Sequence, residues 1–197
     1  MFTKERIVNA LSQYRRNECS LNEFTGFTKA AVLVPLFPTA DGLSVLLTLR
    51  TDDVEAHKGQ VSFPGGTQDT SDKNSIDTAL RESQEELGLE PHAVEILGLL
   101  DDRPVPTQFI ITPVVGYMTE PPVCTLYPPE VAEVFNAPLS FFADESNGTS
   151  EERELHNRKF RVWHFQYEQY HIWGATAAII RNLIDVTNPF QKIRSRP

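Results

Sequence analysis

Three glutamates crowd the segment Ser75-Ile76-Asp77-Thr78-Ala79-Leu80-Arg81-Glu82-Ser83-Gln84-Glu85-Glu86-Leu87. At about 100° per residue, Ile76, Ala79, Leu80 and Leu87 share one helical arc, and Glu82, Glu85 and Glu86 cover the adjacent one. Ser83 lies inside the apolar arc, where a hydrophobic residue is expected. Glu82 stands three and four residues from two like charges, and each such pair costs on the order of 0.2–0.5 kcal/mol. All three acids sit in the second half of the helix, where the macrodipole disfavours anions by a further ~0.3–1 kcal/mol each. Arg81 relieves Glu85, four residues on. Local rules broken without a visible gain in stability are a mark of functional sites. A solvated acidic face is the ordinary explanation, and a bound divalent cation is the competing one. Three carboxylates on one face can hold Mg2+ or Mn2+, hard ions that prefer oxygen and share their coordination with substrate phosphates. The helix carries no Cys or His, which argues against zinc. Upstream, Phe63-Pro64-Gly65-Gly66 offers backbone that can approach a ligand closely, because glycine has no side chain and tolerates positive φ.

The elements that must position these residues are legible from periodicity. Residues 3–17 read as a short amphipathic helix, with Ile7, Val8, Leu11 and Tyr14 at helical spacing. Residues 29–37 and 43–50 read as strands joined by a Thr39-Ala40-Asp41-Gly42 turn. The acidic helix spans 75–87 and ends at Gly88, where a terminating glycine belongs. Residues 94–100 and 109–118 read as further strands. After a loop rich in proline (Pro121, Pro122, Pro128, Pro129), Glu130–Phe135 reads as a short helical turn. Residues 159–167 read as a strand, and 172–186 as a closing helix with Trp173, Ala177, Ile180 and Ile184 on one face. Helices and strands interleave, so the expected class is mixed α/β or α+β.

With 197 residues, a single domain is expected over 1–197, its core over about 29–184 and a tail over 186–197. A chain this long buries about 70% of its unfolded surface and needs no staples. The net charge of −9 disfavours nonspecific binding to nucleic acid or to an anionic membrane surface. No stretch approaches the ~18 apolar residues of a membrane span. Cys19 and Cys124 form no metal spacing and suit a reducing compartment, and the start of the chain has no signal-peptide pattern, so a cytoplasmic protein is expected.

Gly66 through Leu89, with its close Arg81-Glu82-Ser-Gln-Glu85-Glu86-Leu-Gly88, resembles the Nudix box, a loop–helix–loop signature. Leu46-Leu-Thr-Leu-Arg50 followed by Gly59-Gln-Val-Ser-Phe-Pro-Gly-Gly66 is similar to the extra motif of the coenzyme A pyrophosphatase branch. So are Asp69 and Asp72 in a lengthened loop, Thr112-Pro-Val-Val-Gly116, and His171-Ile-Trp-Gly174. Three departures stand out. Ser83 replaces an apolar residue, Asp52, Asp53 and Glu55 occupy a loop where the branch carries basic residues, and Gln108 stands where glycine often precedes the aromatic.

The resemblance implies an α/β/α sandwich with a mixed sheet. It assigns Glu82, Glu85 and Glu86 to divalent ions, Mg2+ or Mn2+, with Glu82 or the ion itself activating water and Arg81 orienting Glu82 and Glu85. Arg50, His57, Lys58, Gly65 and Gly66 would contact substrate phosphates, and Glu130 or Glu133 could supply a further base. Trp173 reads as core rather than as a stacking platform. The implied activity is hydrolysis of the diphosphate of coenzyme A or its thioesters, by a monomer or homodimer acting on a small-molecule partner. Two alternatives stand beside it: the same chemistry on an ADP-sugar, a dinucleotide or a nucleoside triphosphate, and an inactive Nudix fold used as a sensor.

Overall fold

The computed structural model describes residues 2–40, 42–51, 59–155 and 158–188. Asp52, Asp53, Glu55, His57 and Lys58 therefore lie outside the described residues, as does the tail from 189 onward.

The chain begins with helix α1 (Lys4–Gln13) and enters the hairpin β1 (Thr28–Thr39) and β2 (Gly42–Arg50). Two short strands, β3 (Val61–Ser62) and β4 (Gly65–Thr67), precede helix α2 (Ser75–Leu87). Then come β5 (Glu95–Leu99), β6 (Arg103–Val105), β7 (Phe109–Tyr117), β8 (Val131–Pro138) and the one-turn helix α3 (Leu139–Ala143). Strands β9 (Gly148–Leu155), β10 (Arg158–Tyr167) and β11 (Tyr170–Trp173) lead to helix α4 (Gly174–Thr187).

Eight strands form one mixed sheet with the path β3-β2-β1-β7-β5, on which β4 pairs β1, β6 pairs β7 and β8 pairs β2. Only β1 and β7 run parallel, in register from Thr28↔Phe109 to Leu36↔Tyr117, and the other pairings are antiparallel. Strand β1 is buried on both faces, as a strand covered by helices must be. Its Ala31, Leu33 and Phe37 pack with Ala79 and Leu87 of α2, while Val34 and Leu36 pack with Ile7 and Leu11 of α1 and Ile180 and Ile184 of α4. The result is the expected α/β/α sandwich. A separate antiparallel sheet, β11-β10-β9, stands beside it. The stacked rings of Phe135 and Tyr170, 3.6 Å apart and 2° from parallel, join the two sheets.

The structure corrects the sequence reading at several points. Helix α1 stops at Gln13 instead of reaching residue 17, because the chain turns off to be held by the main body. The Tyr14 hydroxyl donates to Asp101 at 2.5 Å, and the amides of Asn17 and Cys19 donate to Asp101 and Asp102. The segment 130–135 is not a helical turn. The turn lies just before it, where the amides of Glu130 and Val131 both donate to the Tyr127 carbonyl, and 131–138 then extends along β2. The β-branched and aromatic residues Val131, Val134 and Phe135 suit that pleated surface. Ile172 and Trp173 end β11, and the last helix starts only at Gly174, whose φ of +63° makes the corner. Strands β3, β4, β6, β9 and β11 were not legible as separate elements.

Gln108 has φ +63°, a left-handed conformation that closes the β6–β7 hairpin. This explains why glycine is common at the corresponding place in the motif the sequence resembles. Holding a side-chain-bearing residue there costs roughly 1–2 kcal/mol, while glycine adds about 0.5–1 kcal/mol of chain entropy to lose. Gln108→Gly should therefore be stabilising by up to about 1 kcal/mol, visible as a rise of about 2–4 °C in Tm for a domain of this size. A lower Tm by calorimetry would mean that the Gln108 side chain contributes more than its backbone strain costs.

Candidate active site

Helix α2 is fixed at both ends by its sequence. The Asn74 side chain caps the start, accepting from the amides of Ile76 and Asp77. At the other end Gly88 adopts φ +67° and returns its amide to the Gln84 carbonyl. The proline-rich loop completes this cap: the amides of Tyr127 and Thr125 donate to the carbonyls of Glu86 and Leu87, at 2.9 and 2.8 Å. Ser83, the polar residue in the apolar arc, is fully buried and donates to the Ala79 carbonyl at 2.6 Å, so its hydroxyl needs no outside partner.

Against this helix lie Gly65 and Gly66 in β4. Gly65 has φ +154°, and a Cβ on it would sit 2.3 Å from the Ala31 carbonyl oxygen of β1. A Cβ on Gly66 would sit within 2.6 Å of both carboxylate oxygens of Glu82. Gly65 is therefore required by space, and a side chain at Gly66 would have to turn the Glu82 carboxylate aside. The Gly65 amide donates to Glu86 at 3.3 Å, a long contact for a carboxylate that is only 4% exposed. Burial pushes the Glu86 carboxyl up to about 8, with Arg50 opposing the shift and Glu130 and Glu82 adding to it. Glu82 is also raised, first by desolvation, and Arg81 counteracts the effect.

Arg81 is a hub with a different main partner from the expected one. Its Nε and Nη2 donate to the two oxygens of Asp72 at 3.0 and 2.9 Å, and Nη2 also donates to the Thr67 carbonyl. Its Nη1 reaches Glu82 at 2.9 Å and Glu85 at 3.2 Å. The pair with Asp72 is a bidentate, charge-assisted one, and it holds the Asp72 carboxyl far below the ordinary carboxylate range. Arg81 thus ties the loop after β4 to the acidic face. Sequence reasoning passed over this role of Asp72, although its place in the lengthened loop was the available signal.

A cleft of about 910 Å³ opens beside these groups. It brings together Arg50, Gly65, Gly66, Glu82, Glu130 and Trp173, drawn from β2, β4, α2, the start of β8 and the end of β11. The Nε of Arg50 is buried and has no hydrogen-bond partner among the described residues. Trp173, expected in the core, is part of the cleft wall. Val105, Pro106, Thr107 and Phe109 of the β6–β7 hairpin form another part of it, which no sequence signal pointed to. Glu85 and Glu133 are not brought in. The Glu85 side chain is 60% exposed and paired with Arg81, and Glu133 accepts a hydrogen bond from Tyr170 at 2.6 Å.

The donor chemistry suits a hard divalent ion. Glu86 is a buried carboxylate with a single long hydrogen bond, Glu82 is half-buried, and both face the Gly65–Gly66 backbone. Among the described residues no three His, Cys, Asp or Glu side chains enclose one point. An ion held here would therefore take part of its shell from water and substrate oxygens, which is the habit of Mg2+ and Mn2+.

A loop–helix of carboxylates and glycines packed on a mixed sheet, with an open cleft beside it, has the donor types to hold a divalent ion next to a phosphate group. The comparisons identify the family: residues 27–169 match the NUDIX domain, and the chain belongs to that family, whose hydrolases act on diphosphate bonds and generally use divalent metals. It is 40% identical over 157 residues to an uncharacterized Nudix hydrolase NudL of Pectobacterium atrosepticum, covering 79% of this chain and 80% of that one. It is 38% identical over 168 residues to the mitochondrial Nudix hydrolase 15 of Arabidopsis thaliana, and there the match covers 81% of this chain but only 58% of the relative's length. The fold is similar to that of a NUDIX hydrolase from Alicyclobacillus acidocaldarius, with a TM-score of 0.54, 19% identity, and coverage of 87% and 97% of the two chains. Among the described residues no helix is long and apolar enough to cross a membrane.

The raised Glu86 carboxyl gives a pH signature in metal-free protein. Its folded pKa of about 8 lies above its ordinary value of 4.5, so the folded chain binds more protons than the unfolded one between these limits. The stability contribution is then fully present below about pH 4.5 and is lost as pH rises toward 8. Glu86→Gln should raise Tm in chelator-treated protein at pH 8, and the gain should shrink toward zero at pH 5. A gain that is equal at both pH values would show that Glu86 is ionised throughout.

Proposed function

We propose that the chain hydrolyses the diphosphate bond of coenzyme A or its thioesters, giving 4′-phosphopantetheine, or its acyl form, and 3′,5′-ADP. The observation that carries this reading is the composition of the cleft. Polar groups suited to a diphosphate (Arg50, Gly65, Gly66, Glu82) share it with a long apolar wall that includes Val32, Phe63, Phe109, Ile111 and Ile179. A small nucleotide needs no such wall, whereas a diphosphate carrying an extended, weakly polar arm buries it there. The sequence motifs around Arg50 and Phe63 point the same way.

Glu82 and Glu86 would hold the divalent ion, with Glu85 joining them if it leaves Arg81. The ion, Mg2+ or Mn2+, would neutralise the diphosphate and lower the pKa of water near phosphorus. Arg50 lines the cleft, and its guanidinium can donate to a phosphate oxygen. Gly65 and Gly66 line the cleft with backbone rather than side chain. Glu82, which lines the cleft and whose carboxyl burial raises, is the group suited to take the proton of the attacking water. That water oxygen bonds to phosphorus as the bridging P–O bond breaks, and the leaving phosphate oxygen keeps the electron pair.

A substrate panel with Mg2+ and Mn2+, its products identified by mass, tests the assignment. Coenzyme A should be cleaved with a higher kcat/KM than an ADP-sugar, a dinucleotide or a nucleoside triphosphate. The reverse order would replace the coenzyme A reading with one of those substrates, and no cleavage at all would favour a sensor. Glu82→Gln and Glu86→Gln should each lower kcat by at least about 100-fold while the protein stays folded. Arg50→Ala should raise KM with a smaller change in kcat, the pattern of lost uniform binding. Millimolar Mg2+ should raise Tm more in the wild type than in Glu82→Gln, since an ion that binds only the folded state stabilises it by roughly 2.7 kcal/mol at 100 times its Kd. Equal shifts in the two proteins would place the ion elsewhere.

A further inference from the structure

Outside the cleft, the second sheet carries a pair of histidines that the proposed reaction does not use. His164 of β10 and His171 of β11 are diagonal neighbours on one face, since His164 pairs with Trp173 and Gln166 with His171. Their nitrogens, His164 Nδ1 and His171 Nε2, are 3.1 Å apart. The ring centres are 5.3 Å apart and the planes differ by 12°, so the rings meet edge to edge rather than face to face. The other nitrogen of His164, Nε2, lies 3.4 Å from Glu151 Oε1 on β9, and Glu151 is itself held by Arg153. The ring of Trp173 lies 6.3 Å from both imidazoles and is nearly parallel to them.

From this geometry we propose a second metal site, distinct from the carboxylate helix: His164 Nδ1 and His171 Nε2 form a two-imidazole clamp for a borderline transition-metal ion such as Zn2+, Cu2+ or Ni2+. Two metal–nitrogen bonds of about 2.0–2.1 Å at a tetrahedral angle place the donors ~3.3 Å apart, close to the 3.1 Å observed. Glu151 supplies the outer support that ligating histidines characteristically have, a carboxylate accepting the ring's other N–H. In the tautomer that places the His164 proton on Nε2, toward Glu151, Nδ1 of that ring is a bare lone pair that accepts His171 Nε2–H. An ion that displaces this hydrogen sits to one side of the N···N line, about 2 Å from each nitrogen, and leaves His171 neutral, with its hydrogen carried on Nδ1 after exchange with solvent. The donors are nitrogen, which Mg2+ does not favour and Zn2+, Cu2+ and Ni2+ do. Two protein ligands leave the remaining positions to water, as suits a pair that is accessible on the sheet surface and joined by no third His, Cys, Asp or Glu at one point among the described residues.

The test uses the full chain in millimolar Mg2+, which occupies all-oxygen sites, titrated with Zn2+ by calorimetry. One equivalent should bind with micromolar affinity, and His164→Ala and His171→Ala should each weaken binding at least tenfold while melting like the wild type. His171→Asn serves as a second variant if His171→Ala unfolds. Glu82→Gln should bind Zn2+ as the wild type does. Cu2+ should quench Trp173 fluorescence, a loss that Trp173→Phe and His171→Ala each abolish. Zinc binding that is unchanged in both histidine variants, or that is lost in Glu82→Gln, would overturn the proposal.

Discussion

Two adjacent glycines wedged between strand β1 and the carboxylates of α2 set the dimensions of everything around them. Gly65 leaves no room for a Cβ against the Ala31 carbonyl, and Gly66 leaves none against Glu82. The pairing of β4 with β1 therefore holds the acidic helix at a fixed, short distance from the sheet. The Gly65 amide meets Glu86, and Arg50 and Glu82 open into the cleft on the same side. A side chain at position 65 would force β4 away from β1, and one at position 66 would displace the Glu82 carboxylate.

The electrostatics are equally constrained. A helix whose final turns carry three acids works against its own dipole, and burial of Glu86 adds a desolvation cost. The structure meets this only in part. Arg81 reaches Glu82 and Glu85, yet its strongest grip is on Asp72, so its charge serves the loop as much as the acidic face. Arg50 acts on Glu86 through space without a hydrogen bond. The deficit of positive charge near Glu82 and Glu86 is what a divalent ion would redress, and a protein serving only its own stability would have no use for it.

The sequence made the helix legible because its signals were local: a cap at Asn74, a terminating Gly88 and a period in between. The hairpin of β1 and β2 was legible for the same reason. What stayed hidden depends on contacts between distant segments. Strands of two or three residues, such as β3 and β4, exist because β2 and β1 pair with them, and nothing in Val61-Ser62 or Gly65-Gly66-Thr67 shows that from within. Residues 130–135 read as helical until the exposed edge of β2 claims them. Trp173 looked like a core residue because its helical spacing matched Ala177 and Ile180, but it belongs to the strand before that helix and lines the cleft. Of the residues that line the cleft, Glu82, Gly65, Gly66 and Arg50 are the ones that type and spacing single out. Asp72 was seen in the loop motif, but its grip on Arg81 becomes visible only once the loop folds back. His57 and Lys58 fall outside the described residues.

The cap that the proline-rich loop places on α2 has a dynamic consequence. The carbonyls of Glu86 and Leu87 are bonded by amides from Tyr127 and Thr125, about 40 residues further along the chain. Prolines on both sides of this stretch stiffen it, so little entropy is left to lose when it docks. The last turn of the acidic helix and the loop therefore open and close as one cooperative unit, since neither can fray without stripping hydrogen bonds from the other. Opening of the loop would strip a hydrogen bond from the backbone of Glu86 itself, which ties the buried carboxylate's position to a part of the protein far from it in sequence.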